Sequence, residues 1–237
     1  MTKLSVNVNK VATLRNTRTI GIPSVQGAAR ICLSAGAHGI TVHPRPDQRH
    51  IRPDDVFELA RLVDEYPDAE YNIEGNPFEE FIEYARRVRP AQCTLVPDAP
   101  DVFTSNEGWD LKRDGERLKP IVKRLHEYGC RVSLFMDAVP ENIDLVSATS
   151  ADRIELYTEP YAAAFARGEG EKGVQPFIRT AQRAYELGIG VNAGHDLNQQ
   201  NLPLFLSSTL VTPSRPSPRP GFRRPWRCRG RRSRMTG

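Results

Sequence analysis

Short β-type runs alternate with amphipathic helical segments seven times along this chain, and that alternation constrains the fold more than any other feature. The runs LSVNVN (4–9), GITVH (39–43), AEYNIEG (69–75), QCTLVP (92–97), RVSLFMD (131–137), RIELYTE (153–159) and IGVNAGH (189–195) read as strands. Helical patterns follow from Ser24 to Gly36, from Pro53 through PDDVFELARLVDEY, and over 77–88, 113–129, 140–147 and 174–188, with a last one starting in 197–206. Ser24 is a plausible N-cap, and Pro53 opens its helix with acidic residues in the first turn. Strands joined through helices run parallel, so the class is α/β, and this many units favour a (β/α)8 TIM barrel. A doubly wound sheet is the alternative, weakened because no GxGxxG loop follows any strand.

In such barrels the chemistry gathers where strands end. The stretch from Ile40 to Arg52 is an apolar strand that turns, at Pro44 and Pro46, into a loop with two His and three Arg. Imidazole moves protons near neutral pH, and guanidinium forks match phosphate oxygens. The other tips offer Asn7, Asn9 and Lys10, then Glu74, Asp137, Glu155 and His195. Any one of them reads equally well as a polar cap on a strand. As a set, with Arg45 nearby, they predict proton transfer on a phosphorylated carbonyl compound. The segment DAPDVFTSNEGWD after strand four is longer than a connection needs and is read as a lid. His43, His50 and His195 show no HxH or HxxxH pairing, so no metal is expected.

Composition narrows the class. With 39% hydrophobic and 26% charged residues among 237, one large globular domain is expected. No apolar run reaches the length of a membrane span, and MTKLSVNVNK lacks a signal-peptide core, so a cytoplasmic location is expected. Four cysteines without CxxC or CxxH spacing indicate neither zinc nor a disulfide framework, and Cys32, Cys93 and Cys130 read as small core residues.

The motifs VNVNKVATLRNTR, GITVHPRPDQRHI, YNIEGNP, TLVPD, RIELYTEPYA and GVNAGHDLNQQNL resemble, in this order, those of the pyridoxine 5′-phosphate synthase family over about residues 3–208. The resemblance implies a (β/α)8 barrel assembled as a homo-oligomer, usually an octamer, and a transferase-class enzyme of vitamin B6 synthesis. Its reaction condenses 3-amino-2-oxopropyl phosphate with 1-deoxy-D-xylulose 5-phosphate, releases phosphate and water, and needs no cofactor. By position it implies His43 and Glu74 as proton acceptors, His195 as a proton donor and Glu155 as a stabiliser of a transition state. Asn7, Arg18 and Asp196 match contacts to the amino-ketone phosphate, and Arg45, His50 and Thr104 match contacts to the deoxyxylulose phosphate. Asn9 and Lys10 stand where many members have Asp-His, and Asp196 where many have Gly.

The resemblance fails after LPLFLSS, where relatives continue into strand eight and a Gly-His pair that binds phosphate. Residues 209–237 hold five Pro, nine Arg and no acidic residue. Removing those nine from the 33 basic residues leaves 24 against 29 acidic ones in 1–208, a net charge of −5. The expected organisation is therefore a barrel domain over 1–208, truncated after the seventh βα unit, and a disordered Arg/Pro-rich tail over 209–237. A frameshift accounts for such a tail. Two further readings stay open, an inactive barrel fragment and a barrel that binds polyanions through its tail. Nucleic acid is not an expected partner, nor is a membrane. The missing strand predicts unpaired edges on strands one and seven.

Overall fold

The computed structural model describes residues 2–98 and 107–209. The segment 210–237, which holds nearly all of the proposed tail, lies outside them. Seven parallel strands are laid down in chain order: β1 (Ser5–Asn7), β2 (Gly39–Val42), β3 (Glu70–Gly75), β4 (Gln92–Leu95), β5 (Arg131–Met136), β6 (Arg153–Tyr157) and β7 (Gly190–Gly194). Each pairs with its sequence neighbours, and among the described residues β1 and β7 do not pair with each other. The sheet is thus curled and open, the unpaired edges falling where the sequence places them.

The helices are α1 (Asn9–Asn16), α2 (Val25–Ser34), α3 (Pro53–Val63), α4 (Glu79–Val88), α5 (Leu111–Glu127), α6 (Pro140–Thr149), α7 (Glu159–Ala166), α8 (Gly170–Gly173), α9 (Gln175–Glu186) and α10 (Leu202–Thr209). Local chemistry sets their ends. The Ser24 hydroxyl accepts from the Gly27 amide at 3.0 Å, and Asp110 accepts from Lys112 at 3.1 Å. Gly36 and Gly129 follow α2 and α5 with φ of +95° and +85°, a region that side-chain-bearing residues rarely enter.

Two stretches differ from the sequence reading. The first strand is Ser5–Asn7, not 4–9, because Asn9 already starts α1. Residues Ala12 to Arg18 carry no apolar stripe strong enough to announce that helix. The Ala- and Gly-rich stretch after β6 folds into α7 and α8, whose weak amphipathicity hid them. Most of the segment read as a lid, 99–106, lies outside the described residues; at its far end buried Trp109 donates from its indole to the Leu95 carbonyl at 2.8 Å and from its backbone to the Phe135 carbonyl at 2.9 Å.

Parallel strands covered on both faces usually run apolar throughout. Here they alternate. Ile40, Val42, Tyr71, Ile73, Cys93, Leu95, Val132, Leu134, Met136, Ile154 and Leu156 are buried, and they join the helix side chains in the main hydrophobic cluster. The intervening positions Thr41, Asn72, Glu74, Gln92, Thr94 and Glu155 face the other way and are linked by side-chain hydrogen bonds, and Ser133 accepts from Asn192 on the same face. The apolar core therefore lies between sheet and helices, and the interior of the curl is polar. Leu134 has no exposed surface. Leu134→Ala should remove about 3 kcal/mol of stability, read from the urea midpoint at unchanged slope.

Candidate active site

The polar interior opens at the carboxyl ends of the strands, where β2 delivers His43. The His43 backbone amide donates to the Asn9 side-chain oxygen at 2.9 Å, so the first turn of α1 holds the end of β2 in place. Asn7 in turn accepts from the Asn9 amide at 2.9 Å. The His43 ring is buried, and burial first, then the positive charge of Arg45, lower its pKa to about 3. His43 is a neutral imidazole at any working pH.

The loop after His43 is held from two sides. Arg45 and Asp98 form an ion pair of 2.6 Å, with only 4% and 5% of the two side chains exposed, and with Asn76 and Phe78 they line a small cleft beside His43. Arg15 forms a second buried pair with Asp55, at 2.5 and 2.9 Å, and also donates to the His50 carbonyl at 3.1 Å. Asn16 donates to the same carbonyl at 2.8 Å. The His50 Nδ1 accepts from the Ile51 amide at 3.0 Å, which puts its ring proton on Nε2. Burial and then Arg45 lower the His50 pKa to about 4, and its ring centre lies 6.0 Å from that of His43.

Two carboxyls occupy the inner face. Glu74 is near the end of β3, in register with Thr94, while Glu155 sits in the middle of β6, in register with Phe135 and Asn192. Glu155 is thus an inward-facing strand residue and not the strand tip that the sequence reading made it. By surface exposure both are half-buried, because each still touches the interior space, yet protein encloses them enough for desolvation to dominate. Burial first, then the charges of Glu155 and Asp98, raise the Glu74 pKa well above the usual carboxyl range. Burial raises Glu155 to about 7, against an opposing hydrogen bond from Thr94.

Across the opening, His195 and Asp196 follow β7 with φ of +87° and +56°. Left-handed backbone at two successive side-chain residues persists only where surroundings enforce it. Here the Thr158 hydroxyl lies 2.6 Å from the Gly194 carbonyl and 2.5 Å from that of His195, and buried Asn201 donates to the Asp196 carbonyl at 3.0 Å. The exposed His195 ring packs edge-on to Tyr157, centres 5.1 Å apart, and against Phe135 at 5.6 Å. Partial burial there, opposed by Asp196, holds its pKa below the usual value.

The structure brings His43, Arg45, His50 and Asn9 together, and sets Glu74 and Glu155 on one inner face. Asn7, Lys10 and Arg18 are exposed on the α1 side, with no charged partner seen for Lys10 or Arg18 among the described residues. Thr104 lies outside the described residues. Sequence reasoning missed Arg15, Asp55, Asn72, Thr94, Thr158 and Asn201. For Asn72 and Thr94 the signal was present, as period-two alternation in EYNIEG and QCTL. The Arg15–Asp55 contact spans 40 residues and left no trace in the local pattern.

Among proteins built on parallel strands and helices, enzymes that move protons at the carboxyl ends of the strands are the class that this fold and site define. The chain belongs to the family described as pyridoxal phosphate biosynthesis protein PdxJ, whose model matches residues 4–212. A pyridoxine 5′-phosphate synthase of Albidiferax ferrireducens is 52% identical over 212 residues, covering 87% of this chain and 84% of the relative. One of Porphyromonas gingivalis is 52% identical over 205 residues, covering 86% and 84%. Among solved structures, a protein of Aquifex aeolicus matches with a TM-score of 0.56 at 16% identity, covering 87% of this chain and 79% of that one, a likeness of fold alone.

The opposed shifts carry signs that can be checked. His43 and His50 fall to about 3 and about 4 from 6.5, so below pH 6.5 the unfolded chain takes up protons that the folded one refuses, and stability is lost as pH falls. Glu155 rises to about 7 from 4.5, so the folded form keeps a proton that the unfolded chain releases, and stability is lost as pH rises through that window. His43→Gln should flatten the first dependence and Glu155→Gln the second, in denaturant midpoints measured against pH. Arg15→Met should cost about 3 kcal/mol by leaving Asp55 buried without its cation, whereas Arg30→Met, at the exposed Arg30–Glu65 pair, should leave the urea midpoint nearly unchanged.

Proposed function

We propose that this chain forms pyridoxine 5′-phosphate from 3-amino-2-oxopropyl phosphate and 1-deoxy-D-xylulose 5-phosphate, releasing phosphate and water by acid–base catalysis. The observation that carries the reading is a resting neutral histidine at the end of β2 with two carboxyls of raised pKa on the inner face of the same sheet, in a chain about half identical to proteins named for this activity. The amine of one substrate and the ketone of the other join as an imine with loss of water. Phosphate then leaves from the deoxyxylulose part, and an aldol-type closure loses a second water. Each step takes a proton from one atom and returns it to another.

In this reading neutral His43 accepts protons from the condensing amine and from carbon. Glu74 begins protonated and serves first as an acid, then as the second acceptor once it has given its proton up. Glu155, poised near neutrality, balances positive charge that develops on the imine. His195, exposed at the rim, returns a proton to the departing oxygen. Asn7, Arg18 and Asp196 are assigned to the amino-ketone phosphate, and Arg45, His50 and Thr104 to the deoxyxylulose phosphate, with Asn9 and Lys10 beside them. Asn9 already holds the His43 backbone, which supports a positioning role for it.

The reading includes a barrel domain over 1–208, a separate Arg/Pro-rich segment beyond it, a cytoplasmic location and assembly of several copies. No helix among the described residues is long and apolar enough to cross a membrane. Leu14, Ile20, Ile22 and Ile31 are each at least 60% exposed and are side chains that a second copy would cover. A second reading, binding of the substrates without turnover, is favoured by the open edge between β1 and β7.

The purified full chain, incubated with both substrates, should release inorganic phosphate and pyridoxine 5′-phosphate in equal amounts, followed by phosphate assay and mass spectrometry. Binding of either substrate by calorimetry without product would establish the second reading instead. His43→Asn should lower kcat by about 100-fold or more at little change in KM.

A further inference from the structure

The hydrogen bonds between the two carboxyls have a fixed direction with one movable member. Arg131 has only donors to offer, and its guanidinium reaches the Gln92 side-chain oxygen at 3.2 and 3.3 Å. That contact fixes the Gln92 amide, whose nitrogen then faces the Asn72 oxygen at 3.3 Å and the Thr94 hydroxyl at 3.3 Å. With its oxygen so engaged, Asn72 turns its nitrogen to Glu74 Oε1 at 3.4 Å and to the Thr41 hydroxyl at 3.3 Å. Neither amide can flip without setting donor against donor. The Thr94 hydroxyl is different. It has one proton and two acceptors in reach, Asn72 Oδ1 at 3.1 Å and Glu155 Oε2 at 3.4 Å.

We propose that Thr94 is a positioning residue whose hydroxyl turns between Asn72 and Glu155 as Glu155 gains and loses its proton. When Glu155 is ionised, Thr94 donates to it, and Asn72 Oδ1 keeps the Gln92 donor. When Glu155 is protonated, its own hydroxyl donates to Thr94, and Thr94 donates to Asn72. Every buried polar atom of the network thus has a partner in both charge states, which lowers the cost of carrying charge in the enclosed interior. The coupling extends to Glu74 through the Asn72 amide, so Glu74 and Glu155 respond to each other through Asn72 and Thr94 as well as through their charges.

Few other charges compete for this role. Thr94 comes from β4, Ser133 and Phe135 from β5, and Asn192 from β7, all neutral, in the registers flanking Glu155. The titratable and charged groups on the same inner face or at its rim are Glu74, with Asp98 and its partner Arg45 beyond it, Arg131, Arg153, Tyr157, His195 and His43. Of these, Arg131 is already held by Glu70 at 2.6 Å and by Gln92, and Arg153 by Asn192.

The catalytic consequence rests on the synthase reading above, but the hydroxyl switch can be read without turnover. Isotope-edited infrared titration of the full chain, with Glu155 assigned by Glu155→Gln, follows its carboxyl stretch against pH. Thr94→Val should move the Glu155 midpoint upward by about one to two pH units, because the anion loses its donor. Thr94→Ser should restore it. If Thr94→Val does not fold, Thr94→Ala reads the same shift. In turnover, Thr94→Val should lower kcat and move its pH profile the same way, with both KM values unchanged. A midpoint that stays with the parent in the folded Val or Ala variant, or one that Ser fails to restore, overturns the proposal. Absence of activity alongside a shifted midpoint overturns only the synthase reading.

Discussion

Keeping polar and ionisable groups inside a curled parallel sheet is the constraint on which the rest of this structure depends. A carboxyl withdrawn from water resists ionisation, and two on one inner face resist it further. The sheet accommodates Glu74 and Glu155 because its interior is lined with hydroxyls and amides instead of branched apolar side chains. That choice displaces the apolar core outward, between strands and helices, where Leu134, Ile154 and their neighbours are buried. The same withdrawal from water acts on His43 with the opposite sign and keeps it neutral. One physical cause, desolvation, thereby keeps the imidazole neutral and raises both carboxyls.

The site is held by buried pairs instead of regular structure. The loop that carries Arg45 and His50 has no ladder hydrogen bonds of its own. It is fastened by Arg15–Asp55 at one end and Arg45–Asp98 at the other, and each anchor would become an uncompensated charge if its partner were lost. On the far side of the opening, Thr158 and Asn201 supply the hydrogen bonds that hold the left-handed turn at His195 and Asp196. The open edge between β1 and β7 lies next to that turn, so the least enclosed part of the sheet also carries His195.

Much of this could be read in the chain. GITVH followed by Pro44 and Pro46 has to be a strand that stops, and the capping residues Ser24 and Pro53 mark helix starts that the structure keeps. The two His and the three Arg behind β2 stood out because charged residues seldom cluster just after a buried strand. Other elements were less visible. Residues 9–16 fold as a helix because Asn9 binds the end of β2 and Arg15 binds Asp55, contacts that no local periodicity records. Residues 159–173 lack a clear apolar stripe, so their helices depend on packing around Tyr161, which has no exposed surface. Glu155 was placed at a strand end for want of knowing where β6 stops.

The sequence by itself determined the order of the strands and of most helices, the parallel direction of the sheet and the residue types available for proton transfer. These follow from short-range periodicity and from side-chain chemistry, which are properties of neighbours along the chain. Tertiary structure alone decided which groups would be neutral and which would hold protons. Ionisation depends on how much water and how many charges surround a group, and those surroundings come from strands far apart in sequence. Thr94 shows the difference most plainly. In QCTL it is one strand residue among many, and only the fold sets its single hydroxyl proton between Asn72 and Glu155.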